Sequence, residues 1–527
     1  MKYNVLVSDP LAEEGIDILK EFADVDVNTG LTEDQLVAVI GDYDALLVRS
    51  GTEVTARVID AGAKLKFIGR AGAGVDNIDT EAATRRGIVV ANAPEGNTLA
   101  ATEHTMAMML SLARNIPQAT ASLKKGEWKR SKFMGVELND KVLGVMGFGR
   151  IGREVAKRAQ AMEMKCIAYD PFISSERAAT LGVEMVPLDE LFRRADVITV
   201  HTPLIKETRH VINEKSIATM KDGVRLINCA RGGIIDEQAL ADGIKSGKVA
   251  GAALDVFESE PPTDSPVLGL DQVIVTPHLG ASTVEAQKNV ATSVANQCIS
   301  VLSGGAAKYV VNAPMIPAEQ QAMVEPYAVL AQKMGSLLIQ LIEGRLASIT
   351  ITYGGEAAAL PNTKFITRVI LKGMLDPILQ APVNFVNAEF VAKERGIRLS
   401  ETTTEEAQGF RNIISISAKT DKMTESVSGS VSAPGHARIV SIGGYMTDLT
   451  PTGHVVISRH IDEPGVIGKT ATILGRANVN IAGMQVGRYK PGQEALMVLT
   501  VDSAVPADVM EEIKQIDAIH TAKHAEI

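Results

Sequence analysis

Over residues 1–96 the hydrophobic and polar positions fall into short alternating blocks. NVLVSD, VDVN, ALLVRS, LKFIGRAGAG and GIVVANAP are apolar runs of strand length, and EGIDILKEF and DQLVAVI between them carry apolar residues at helical spacing. Strands that alternate with helices predict a parallel sheet with crossover helices. Residues 97–115, NTLATEHTMAMMLSLARNI, predict one long apolar helix capped by Asn97 or Thr98. After a polar, basic stretch over 116–140, Lys141–Met146 is again strand-like. Ile151, Val155, Ala159 and Met162 then keep helical spacing, and a second apolar run ends at Asp170. The alternation continues through VITVHTP (197–203), VRLINCARGG (224–233), VAGAALDVF (249–257) and VIVTPHLGA (273–281). Five strands after the turn at 147–152 predict a doubly wound sheet. Residues 284–304 predict a helix able to cross back to the N-terminal lobe.

From about 313 the pattern changes. NAPMIPAEQQAMVEP reads as a proline-bearing connection and YAVLAQKMGSLLIQLIEG (327–344) as an amphipathic helix, followed by strands such as SITITYGGE and helices such as KFITRVILKGMLDPIL. No catalytic spacing occurs between 313 and 450. Residues 452–527 give the order βαββαβ in roughly 75 residues, which fits a ferredoxin-like unit. That unit has neither a glycine fingerprint nor a cluster of titratable groups, so it reads as a binding rather than a catalytic part.

Composition narrows the class. A chain of 527 residues has room for three to four domains, each with its own core. Aromatic residues are only 4%, with one tryptophan (Trp128), and the net charge is −10, which together exclude a base-stacking or phosphate-binding nucleic-acid surface. Cys166, Cys229 and Cys298 are odd in number and scattered, without disulfide or metal spacing, as suits a reducing compartment. The N-terminal strand lacks a signal-peptide core and no stretch approaches a membrane span, so a soluble, cytoplasmic protein is expected.

The chemistry concentrates after the strands. Gly147, Gly149 and Gly152 stand at G-x-G-x-x-G spacing between a strand and a helix, and Asp170 follows Gly152 by 18 residues. The first two glycines permit a tight turn and close approach to a pyrophosphate, and the third lets helix pack on strand. Free N–H groups at the helix start favour the phosphates. Asp170 would accept hydrogen bonds from the adenosine ribose and repel a 2′-phosphate, so the expected cofactor is NAD rather than NADP. A ligand in such a sheet lies beyond the strands' C-terminal ends, where Thr202, Pro203, Arg231, Asp255, Glu260, Pro277 and His278 fall. Three of these suit hydride transfer at a 2-hydroxy or 2-oxo acid. His278 is the candidate acid/base, because imidazole titrates near neutral pH. Glu260 on the preceding loop would favour its protonated form, and Arg231 offers a fork of donors to a carboxylate. Each alone reads equally well as a surface histidine, a loop carboxylate or a capping arginine. Arg49 and Arg70 end two strands of the first lobe and are candidates for an anionic substrate. His104, within the long helix, reads as a packed histidine rather than a catalytic one.

The runs NCARGGIIDEQALADGIKSGKVAGAALDVFESEPP and VTPHLGAST resemble the D-isomer-specific 2-hydroxyacid dehydrogenases, a resemblance that covers residues 1–310. It implies that Arg231, Glu260 and His278 form the catalytic trio. It places cofactor contacts at Gly147, Gly149, Arg150, Ile151, Gly152, Asp170, Thr202, Cys229, Ala230, Asp255, Gly280 and Ala281, with Arg231 and His278 also reaching the cofactor. VRSGTEVTA, GRAGAGVDNID and GEWKRSKFMG resemble the long branch of that family that oxidises 3-phosphoglycerate toward serine. That likeness implies that Arg49, Arg70 and, from a neighbouring subunit, Arg130 hold the substrate's phosphate and carboxylate. It also implies a homotetramer. RHIDEPGVIGKTATILGRANVNIAG resembles the effector face of ACT domains, which implies L-serine bound between two such domains by His460, Asp462 and Asn480. Residues Gly435–Gly444 resemble the branch's intervening domain. The expected fold class is α/β: a flavodoxin-like substrate lobe (1–96 and 285–312), a doubly wound Rossmann-type NAD-binding domain (97–284), an α+β intervening domain (313–451) and a C-terminal ferredoxin-like ACT domain (452–527). Two other readings remain open at this point: a glyoxylate/hydroxypyruvate or D-lactate reductase, which the ACT-like tail and the paired Arg49 and Arg70 disfavour, and a non-catalytic NAD-sensing protein.

Overall fold

In the first sheet, successive residues of each strand feed two different cores. Val5, Val7, Ala45, Leu47 and Phe67 enter one, and Leu6, Leu46, Val48 and Ile68 enter the other. A strand buried on both faces must be apolar throughout, which is why these runs do not alternate. The computed structural model, which describes residues 2–314, 316, 318–379, 382–432 and 436–527, orders this parallel sheet as Asp24–Val27, Asn4–Val7, Ala45–Val48, Phe67–Arg70, Val89–Asn92. That is the flavodoxin-like order 2-1-3-4-5. The helix Val284–Leu302 returns to it, packing on Glu13–Phe22 so closely that a Cβ on Gly15 would lie 2.8 Å from Ala291 atoms.

The second sheet holds seven parallel strands in the order Val273–Val275, Val249–Leu254, Val224–Asn228, Val197–Val200, Val142–Met146, Lys165–Tyr169, Glu184–Met185. Its first strand in sequence lies inside the sheet, so the winding direction reverses beside Val142–Met146. The strand Glu184–Met185 is one more than the sequence predicts; two residues at an edge leave no periodic signal. The long helix runs Thr98–Ala113, but Asn97 at its start makes no capping bond, and its Oδ1 is buried without a partner.

Arg398–Thr404 is parallel to Leu346–Gly355, and four antiparallel neighbours complete a six-stranded sheet. Ala318–Leu341 and Thr363–Leu375 lie against it and each other. The first of these helices corrects the expected connection. It starts before residue 327 and carries Pro326 internally, because Val324 and Leu330, both fully buried, gain more from the core than the lost backbone bond costs. Met315, Pro317 and Gly435, which fall in segments singled out above, lie outside the described residues.

The last four strands, in the order Ile481–Arg488, Glu494–Val501, His454–Ile461, Ile519–Glu526, are all antiparallel, with two helices on one face. This is the ferredoxin-like order. Val455, Ile457, Leu496, Val498 and Ala525 on the opposite face join the core of the preceding sheet, so the two units share one apolar interior. No helix among the described residues is long and apolar enough to cross a membrane.

A Cβ on Gly373 would lie 2.3 Å from the Gln332 carbonyl oxygen, and one on Gly335 2.4 Å from that of Ile370. Gly373→Val is therefore expected to force these helices apart and to cost about 1–3 kcal/mol. Thermal unfolding checks this: the variant should melt below wild type.

Candidate active site

The reversal of winding puts a crevice at the C-terminal end of Val142–Met146. Gly147 turns there with φ 93°, and a Cβ on it would strike the His201 carbonyl at 2.6 Å. Gly152 packs on the turn, where a Cβ would lie 2.1 Å from the Gly147 oxygen, whereas a Cβ on Gly149 would meet nothing within 4 Å. Open space at the middle glycine is what close approach of a phosphate requires. The helix Arg150–Ala161 begins at Gly149 without a side-chain cap, leaving its first N–H groups free for an anion. Asp170 accepts the Phe148 and Phe172 N–H groups, each at 2.9 Å, which fixes its carboxylate beside the turn with lone pairs to spare. Thr202 Oγ1 is buried without a partner, a cost that a bound polar ligand would remove. These features fit a dinucleotide. Arg150 lies over the Tyr309 ring at 5.9 Å, and Ile151 packs partly into the core. Burial pushes the Cys229 thiol up to about 12, so it is an inert wall of the crevice.

Three loops after neighbouring strands hold the trio. His278, at φ 53°, has its Nδ1 2.8 Å from Glu260 Oε2, and Glu260 Oε1 accepts the Phe257 N–H at 3.2 Å. Burial alone would raise the Glu260 carboxyl, but the bond and charge of His278, with the Phe257 N–H, hold it below its ordinary value. Arg231 donates from Nη1 to the Ala230 oxygen at 2.7 Å and from Nε to Asp76 Oδ2 at 3.0 Å. Asp76 belongs to the first lobe, so this ion pair crosses the cleft. Asp255 is fully buried and accepts Thr276 Oγ1, Leu279 N and Gly280 N at 2.6–2.7 Å. It orders the loop that carries His278, Gly280 and Ala281. His104 Nε2 lies 3.1 Å from both Asp255 and Thr276, packed behind that loop.

The first lobe brings two arginines to Arg231. Arg70 closes over Gly72, where a Cβ would fall 1.8 Å from its Nη1, and Arg231 closes over Gly74, 1.9 Å from its Nη2. Arg70 Nε is buried without a partner. Burial and the charges of Arg231 and Arg49 pull its guanidinium down to about 10, against the opposing pull of Asp76 and Asp9. Arg49 donates to the Pro10 oxygen at 3.2 Å, and its backbone N–H to Asp9 at 2.6 Å. Asp76, Asp9 and the glycines that admit the guanidiniums were not singled out from the sequence; the pattern GRAGAGVDN, glycines interleaved with charges after a strand, is the signal that could have found them. Arg130 is exposed on Arg130–Phe133 and makes no contact with this cluster within the chain.

The three residues that the ACT likeness implies for an effector are divided. His460 is 1% exposed with Nδ1 unpartnered, and Asp462 pairs with Arg488 at 2.5 Å. Asn480 donates to Asp502 at 2.7 Å, beyond the far end of the helix Val466–Arg476. Ile481, next to Asn480, stands level with His454 across the sheet, whereas Asp462 follows Ile461 at the other end of that strand, so one chain does not gather the three.

Known proteins match along the whole chain. The NAD-binding domain of D-isomer specific 2-hydroxyacid dehydrogenases matches residues 106–280, the D-3-phosphoglycerate dehydrogenase intervening domain residues 323–443, and the ACT domain residues 454–518. The chain is 50% identical to the D-3-phosphoglycerate dehydrogenase of Methanocaldococcus jannaschii, over 98% of each chain. It is 46% identical to that of Archaeoglobus fulgidus, over 99% of this chain and 100% of the other. Among solved structures it resembles a D-lactate dehydrogenase from Aquifex aeolicus complexed with NAD and lactic acid, with TM-score 0.54 and 30% identity over 59% of this chain and 100% of that one.

The glycine turn yields a direct check. Gly149→Val meets nothing in the free protein but fills the approach to the turn. The variant should keep the wild-type melting temperature while its NADH affinity, read by fluorescence titration, falls at least about tenfold.

Proposed function

This chain belongs to the D-3-phosphoglycerate dehydrogenases, within the D-isomer-specific 2-hydroxyacid dehydrogenases, and on that premise we propose that its cleft oxidises D-3-phosphoglycerate to 3-phosphohydroxypyruvate, the first step of the phosphorylated route to L-serine. NAD, when bound, supplies the hydride acceptor. The observation that carries the substrate is the convergence of Arg70, Arg49 and Arg231 on one cleft beside the His278–Glu260 pair. A trianionic substrate needs several cations, and a chain of net charge −10 must gather them locally.

In this reading His278 accepts the C2 hydroxyl proton during oxidation and returns it during reduction. Glu260 holds the imidazole by Nδ1, leaves Nε2 for the substrate and stabilises the charge that the ring gains. Arg231 fixes the carboxylate and the C2 oxygen, exchanging Asp76 for substrate, and Arg49 and Arg70 take the phosphate. Gly147, Gly149, Gly152, Asp170 and Thr202 hold the dinucleotide. Arg130 adds a further cation from a neighbouring subunit; Leu123, Trp128 and Met134 around it, 56%, 77% and 82% exposed, support the covering of that segment by another chain. We read the assembly as a cytoplasmic homotetramer. Regulation by L-serine at His460, Asp462 and Asn480 belongs to the same proposal: with these residues at opposite ends of the unit, two chains would have to complete one site.

Purified protein with 3-phosphoglycerate and NAD should form NADH, followed by absorbance. His278→Asn should lower kcat by about 10²–10⁴ while NADH affinity stays within about twofold. A fully active His278→Asn enzyme would contradict the assignment.

A further inference from the structure

One buried carboxylate lies next to the trio without belonging to it. Glu237 opens the helix Glu237–Lys245 and is 8% exposed. Its Oε1 accepts the Glu258 N–H at 2.7 Å, and its Oε2 accepts the Ser265 hydroxyl. Glu258 reciprocates, its Oε1 accepting the Glu237 N–H at 3.2 Å. His210 Nε2 lies 3.1 Å from that same Glu258 oxygen, an ion-pair distance without hydrogen-bond geometry, and His210 Nδ1 lies 3.9 Å from Asp236. Asp236 itself caps the helix by accepting the Ala239 N–H at 2.9 Å. A carboxylate is costly to bury unless donors meet its charge. Here the donors belong to residues 258 and 265 of a single loop.

Glu260 stands between those two anchors, bonded to His278 and to the Phe257 N–H. The loop's inner side rests on the residue after Arg231: a Cβ on Gly232 would lie 1.7 Å from the Phe257 carbonyl oxygen. The loop therefore touches His278 and the residue after Arg231 on its inner side and supplies Glu260. Loops hold side chains less precisely than helices do, and Glu237 sits in the first turn of a helix, where a negative charge is favoured.

We infer that Glu237 is a positioning residue for the reaction: with Glu258 it clamps the 256–266 loop to a helix so that Glu260 meets His278 in the productive geometry. The inference rests on the roles given above to Glu260 and His278. Its consequence is chemical, because a Glu260 that drifts from His278 no longer stabilises the imidazolium.

The test compares wild type with Glu237→Ala, Glu237→Gln and Ser265→Ala in the reduction of 3-phosphohydroxypyruvate by NADH across pH, with NADH affinity and melting temperature measured alongside. Glu237→Ala should lower kcat about tenfold, leave NADH affinity within about twofold, and move the alkaline fall of the pH–rate profile to lower pH. Glu237→Gln keeps an acceptor oxygen and should recover most of kcat. Ser265→Ala removes one anchor and should move the profile the same way by less. A Glu237→Ala enzyme with wild-type kcat and profile overturns the inference, and so does a lost kcat with an unmoved profile in both alanine variants, which marks a purely structural role. Where Glu237→Ala does not fold, Ser265→Ala decides: a displaced profile supports the clamp and an unmoved one overturns it. An inactive wild type overturns the functional assignment and the clamp with it.

Discussion

Three guanidiniums in one cleft repel one another, and much of the catalytic half is arranged to keep them there. Arg49 and Arg70 come from one lobe and Arg231 from the other; Asp9 and Asp76 offset them only in part. Gly72 and Gly74 have no side chains because the Arg70 and Arg231 guanidiniums occupy that space. The Arg231–Asp76 bond spans the lobes, so the orientation of Arg231 depends on how the lobes meet. An anion bound among them would relieve the repulsion that Arg231 and Arg49 exert on Arg70.

The acid/base pair depends on a second constraint, the ordering of loops by buried carboxylates. Asp255 ties the His278 loop to its own strand end through Thr276, Leu279 and Gly280; burial alone would raise its carboxyl, but His104, Thr276 and the Leu279 N–H hold it below its ordinary value. Glu237 ties the loop of Glu260 to a helix through the Glu258 N–H and the Ser265 hydroxyl. The parallel strands supply the frame, and these two acids determine where the loop side chains stand.

Much of this was legible in the sequence, because strands buried on both faces are apolar throughout and the glycine turn has a fixed spacing. Arg231, Glu260 and His278 stand out in the sequence too, since each lies in the loop after a strand. Long-range partners were not. Nothing in the chain's periodicity relates Arg231 to Asp76, 155 residues away, or gives Asp255 its inward-facing bonds. Pro326 marked a break that the apolar face around Val324 and Leu330 overrides. His460, Asp462 and Asn480 share a motif but not a place, since Asn480 lies at the opposite end of the strand that carries His460, and a linear motif carries no such distance.

The claim that the cleft is built for a doubly charged phosphate beside a carboxylate is tested most directly by comparing kcat/KM for 3-phosphohydroxypyruvate and unphosphorylated hydroxypyruvate with NADH on the wild-type enzyme. The phosphorylated acid should be preferred at least about a hundredfold, because without the phosphate Arg49 and Arg70 face no anion. Equal or faster turnover of hydroxypyruvate would contradict it, leaving the fold and the trio in place but removing the role given to the arginines.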